Sequence, residues 1–122
     1  MNKELCRKVG EVGQDNLIAK LFPPAETFGI KVAGGEGVLK RGTVMALSGT
    51  DYVVLDAEAT GKANCVLSDP VDASGESPVT AVAYRTGHLN RKALIVAEGY
   101  TMTAADEEEL RKGGILLSDM LD

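Results

Sequence analysis

The sequence has no tryptophan and only two phenylalanines and three tyrosines. So few aromatic rings argue against a base-stacking platform for nucleic acid and against an aromatic-lined sugar groove. Positive charge is also short: thirteen Lys and Arg stand against eighteen Asp and Glu, a net charge of −5. The deficit is uneven, with seven basic against five acidic residues in 1–50 and six against thirteen in 51–122. An acidic body does not seek phosphate backbones, so nucleic acid is not an expected partner. The two cysteines, Cys6 and Cys65, lie far apart in sequence and form no metal-type cluster. They read as reduced thiols, Cys65 as a small buried apolar residue. No run approaches the roughly 18 consecutive apolar residues of a membrane span, and the N-terminus lacks an apolar signal core. These features predict a soluble chain made in the cytoplasm, with no membrane partner.

What is present is a 122-residue chain of 12.8 kDa with 44% apolar residues, enough for one domain with a core. Residues 1–26 show no clean periodicity and end in Phe22-Pro23-Pro24-Ala25, where the prolines impose an extended backbone. They read as an extended N-terminal arm, and residues 27–122 as a β-rich body. The apolar cluster Leu17, Ile18, Leu21 and Phe22 inside the polar arm cannot bury itself alone. It must dock on the body or on another chain.

From Thr27 the pattern alternates, with Phe28, Ile30 and Val32 on one face of a half-buried strand. Further short β runs are predicted over 38–47, 52–55, 64–67, 79–85 and 93–96, punctuated by turn residues such as Ser48-Gly49-Thr50-Asp51. Residues 86–90 read as a loop. This spacing predicts a mostly β fold, a small barrel or sandwich. One short helix follows Thr103, which sits three positions before Asp106 in a variant capping box and is followed by a stop at Gly113-Gly114. The tail Ile115-Leu116-Leu117 is apolar and is expected to return to the core.

Chemistry is sparse. The single histidine, His88, falls in the predicted loop and reads as solvated, without a nucleophile and orienting group to act with. Gly34-Gly35-Glu36-Gly37 lacks the third glycine of a dinucleotide fingerprint and the Lys-Ser/Thr of a P-loop, so it reads as a turn. The acidic run Asp106 to Glu109 is explained by the helix dipole. Asp69, Asp72 and Glu76 match no calcium-loop spacing and leave at most a weak surface cation site. No catalytic residue, metal site or cofactor is assigned, and an enzyme is not expected.

Three stretches of the C-terminal half carry a resemblance: Gly87-His88-Leu89-Asn90-Arg91-Lys92-Ala93-Leu94, then Val96-Ala97-Glu98-Gly99-Tyr100-Thr101, then Ala104-Ala105-Asp106 through Gly113-Gly114-Ile115. With Val38 to Met45, Asn64 to Leu67 and Asn16 to Ala19, they resemble the head decoration proteins of tailed bacteriophages. The likeness is closer to prophage-type members than to the phage lambda protein. The resemblance implies a structural virion protein on the outer capsid surface. It would act as a homotrimer at threefold and quasi-threefold axes, bind the major capsid (coat) protein of the expanded shell and stabilise it against internal DNA pressure. The expected coat contacts are Leu17, Ile18, Leu21, Phe22 and Pro23, with Phe28 and Ile30 in the first paired strand. The alternative is that these residues pack on their own body. Two other functions stay open: a glycan- or receptor-binding adhesion module, tested on a glycan array, and a small trimeric nucleotide hydrolase, tested with nucleoside triphosphates and magnesium.

Overall fold

Two short runs of this chain, Val44-Met45-Ala46 and Cys65-Val66-Leu67, are buried and apolar on both strand faces, and that property organises the structure. A computed structural model describes residues 17–20, 23–59 and 62–119. Its strands are β1 (Ile18–Lys20), β2 (Glu26–Val32), β3 (Gly37–Leu39), β4 (Val44–Ser48), β5 (Asp51–Val54), β6 (Ala63–Leu67), β7 (Val71–Ala73), β8 (Val79–Asn90) and β9 (Ile115–Ser118), with one helix, α1 (Ala104–Gly113). The fold is mostly β, as the turn spacing predicts.

The main sheet runs β1-β8-β2-β5-β4-β6, and β6 also pairs with β8, so the sheet curls back on itself into a partly closed body. Closure hides most strand edges from solvent. Alternate residues of β4, β6 and β8 then face two different cores. Met45, Cys65, Leu67 and Ala83 point inside the curl with Ile30, Val32 and Ala81. Val44, Ala46, Val66 and Tyr84 point outside it, where Leu17, Leu89, Leu110 and Ile115 cover them. This is why Val44-Met45-Ala46 and Cys65-Val66-Leu67 read as unbroken apolar runs rather than as alternation. The small sheet β3–β7 lies off the main one.

The helix forms as its caps predict. Thr103 Oγ1 accepts from the Asp106 amide at 3.2 Å, and Asp106 Oδ2 accepts from the Thr103 amide at 2.9 Å. Gly114 ends the helix at φ +113, a left-handed conformation that suits glycine. Asp106 nevertheless does more than face the dipole. It is wholly buried and also receives the Tyr100 hydroxyl, and Leu110, one turn on, is the apolar anchor beside it.

Two sequence expectations need correction. Residues 86–90 are not a loop: β8 runs through them to Asn90, flanked by β1 on one side and β9 on the other. Gly87 interrupts the pattern for a reason of backbone conformation. Its φ is +149, a backbone conformation that L side chains rarely adopt, so the glycine lets the strand continue past Ala25 instead of ending it. Residues 93–96 are not a regular strand. A 3₁₀ turn (Arg91–Ala93) follows β8, and only Ile95 makes a bridge, to Thr43.

Candidate functional site

The described part of the expected arm begins inside the body. Leu17 is 1% exposed, and its carbonyl accepts the Asn90 amide at 2.7 Å. Ile18 is half-buried opposite Leu89. Leu21 and Phe22 lie outside the described residues. Pro23 is half-buried, and the neighbouring Pro24 carbonyl accepts the Thr86 hydroxyl at 2.7 Å. Phe28 is half-buried under the Arg85 guanidinium, 5.5 Å from its ring centre, a cation–π pair at the end of the curl. Ile30 is 4% exposed and faces the inner core. Leu17 and Ile30 therefore spend their apolar surface on their own chain. Ile18, Pro23 and Phe28 keep part of theirs.

Around the C-terminal half of β8 the chain gathers a cluster of polar side chains. His88 Nε2 lies 3.0 Å from Ser118 Oγ across the β8–β9 pair. Arg91 donates through Nε to Glu107 at 3.0 Å and through Nη1 to Asp119 at 2.9 Å. The Glu107 bond, then the Asp119 bond, push the Arg91 pKa up and fix the side chain between helix and tail. On α1, Arg111 clamps Glu108 and holds that carboxyl below its ordinary range. Between this helix face and β9 lies a hollow of about 410 Å³. Sequence reading missed the His88–Ser118 pair and the Arg91 bridge. The His88–Ser118 and Arg91–Asp119 contacts join residues about thirty positions apart across β8 and β9, and Arg91–Glu107 reaches across to the helix, so none leaves a local signal.

The seryl–imidazole contact does not amount to a catalytic unit. Among the described residues no carboxylate holds the second ring nitrogen of His88, which a triad needs to fix the base. The glycine-rich turn has its amides in use: Gly35 donates to the Gly75 carbonyl at 2.8 Å and Glu36 to the Ala73 carbonyl at 3.0 Å. Asp72 accepts both the amide and the hydroxyl of Ser74, and the hydroxyl bond lowers its pKa most. Among the described residues no three His, Cys, Asp or Glu side chains lie together as a metal site would require. Cys65 is fully buried, and burial pushes its thiol up to about 12. No described helix is long and apolar enough to cross a membrane.

None of the curated proteins matches this sequence. A family model does match, that of the bacteriophage lambda head decoration protein D, over residues 23–115. That span runs from Pro23, before β2, to the first residue of β9, well over half of the chain, and on it the chain belongs to the bacteriophage lambda head decoration protein D family.

Proposed function

We propose that this head decoration protein, a structural, capsid-associated component of the virion, binds the outer surface of the expanded capsid as a homotrimer. It sits at threefold and quasi-threefold axes and holds neighbouring coat subunits together against the pressure of packaged DNA. The observation that carries this reading is the family match over residues 23–115, which spans the β body. The physical logic is linkage. A ligand that binds only the expanded shell stabilises that state by mass action. Each contact can be modest, because three copies held in one particle engage at high effective concentration.

The coat contact is assigned to the N-terminal segment, adding to a coat-protein sheet as an extra strand. Because Leu17 belongs to the core, the deletion that tests this assignment stops at residue 16, and Ile18, Pro23 and Phe28, which keep part of their surface, are the described contact candidates. Leu21 and Phe22 remain contact candidates within the same stretch. The test is deletion of residues 1–16. Binding to decoration-free expanded capsids should fall by orders of magnitude, while the body still unfolds in a cooperative thermal transition. Full-strength binding by the deletion variant would overturn the arm assignment.

A further inference from the structure

The edge of β9 has no strand partner beyond β8 among the described residues. The two run parallel, in register from Gly87↔Ile115 to Asn90↔Ser118. The Gly87 amide donates to the Gly114 carbonyl at 3.2 Å. In the alternation of a parallel ladder, Leu116 and Ser118 then turn their main-chain groups toward β8, and Leu117 turns its N–H and C=O away. An outward-facing strand edge is a template for a further strand. Beside β9 lies the hollow of about 410 Å³, lined by Leu116 and Leu117 of β9, by Glu107 and Arg111 of α1, and by His88 and Arg91. Groove and edge together have the form of an extended-peptide site.

We propose that this groove receives an extended segment of the coat protein, added to β9 as a strand, as a second contact beside the arm. Position argues for that occupant. Both chain ends outside the described residues leave from this end of the molecule: residues 1–16 lead into Leu17, bonded to Asn90, and residues 120–122 follow Asp119. β1 and β9 flank β8 on opposite sides, so the root of the arm is only about 10 Å from the open edge, two strand spacings. A coat surface that takes the arm is within reach of β9. Charge narrows the chemistry of the segment. The cations at the groove already have carboxylate partners, Arg91 with Glu107 and Asp119, and Arg111 with Glu108. The fitting segment is thus an uncharged one that places an apolar side chain against Ala104 and Leu116. This inference rests on the coat-binding reading and extends it to a named second surface.

Hydrogen exchange on the full-length protein, free and bound to decoration-free expanded capsids, tests it. The Leu117 amide should exchange at least about tenfold more slowly when bound, as expected for one new main-chain hydrogen bond. Leu117→Pro removes the outward donor but also a leucine packed on the core, so its failure to fold would say nothing about the edge. Leu116→Lys puts a charge beside the edge without touching the core, and should weaken each contact with the shell about tenfold at an unchanged melting temperature. Unchanged Leu117 exchange with intact shell binding would overturn the β9 contact and leave the coat reading standing. Protection of Leu117 before any shell is added, with Leu116→Lys shifting the oligomeric state, would make the occupant a second copy and also overturn it. Absence of shell binding by the unmodified protein would overturn both.

Discussion

A methyl group at position 34 has no room. It would lie 2.3 Å from the Glu76 carbonyl oxygen and 2.8 Å from that of Gly75, both backbone atoms that cannot swing aside. Gly34→Ala should therefore cost about 1–3 kcal/mol, the usual penalty of overpacking, read as a lower denaturant midpoint. The next residue contrasts with it. Gly35 faces open space but sits at φ +85, so Gly35→Ala should cost only about 1 kcal/mol, from backbone strain alone. Asp106 gathers the Thr103 amide, the Thr103 hydroxyl and the Tyr100 hydroxyl in a buried site. Replacing it with alanine removes the cap and leaves buried donors without their acceptor. The expected loss is about 2–3 kcal/mol, measurable by thermal or chemical unfolding. At Cys65, burial favours the neutral thiol in the folded state and raises its pKa from 9.0 to about 12. The unfolded chain therefore releases this proton first, and the stability it contributes is complete below about pH 9 and lost as pH climbs toward about 12. Burial, and then Cys65 itself, also raise Tyr52, which adds to the loss in the same direction. Denaturant midpoints at pH 7 and pH 10.5 should show the decline, and Cys65→Ala should flatten it. An equal decline in Cys65→Ala would contradict this assignment.

Among the elements, β1 decides where the arm can be cut. Removing residues 1–16 spares Leu17, whereas removal through Lys20 takes β1 away and empties a fully buried leucine site. The longer truncation should cost about 2–5 kcal/mol of stability, the range for deleting a buried leucine, and calorimetry on the two truncations separates them. The same strand marks how far the sequence could be read. The alternation of Phe28, Ile30 and Val32 and the Thr103–Asp106 box are local patterns, and the structure carries both. The length of β8 is hidden, because Gly87 looks like a stop, and only the pairing with β1 and β9 shows the strand running through its φ of +149. The apolar run at 93–96 looked like a strand because apolar residues adjacent in sequence do not reveal whether a partner is available on each side; only Ile95 finds one. Leu17 belongs to an apolar cluster that has to dock somewhere, but nothing local says that it docks on its own body with its carbonyl on the Asn90 amide. The polar cluster at His88, Ser118 and Arg91 was illegible for the same reason, since it exists only once β8 and β9 lie side by side.

For the whole molecule, the family supplies capsid association, and the body supplies a rigid mount with two cores and largely closed edges. In a trimer bound through three equivalent contacts, a change that weakens each contact about tenfold weakens the whole by up to about a thousandfold. Leu116→Lys and the arm deletion should thus show steep losses on shells even where an isolated arm peptide shows weak binding. The most direct measurement is co-sedimentation of the full-length protein with decoration-free capsids of its own phage, expanded and unexpanded in parallel. Saturable binding to the expanded shell alone, at three copies per threefold and quasi-threefold axis, is the expected result. Equal binding to both shells, or none to either, would contradict the proposal that this protein locks the expanded capsid.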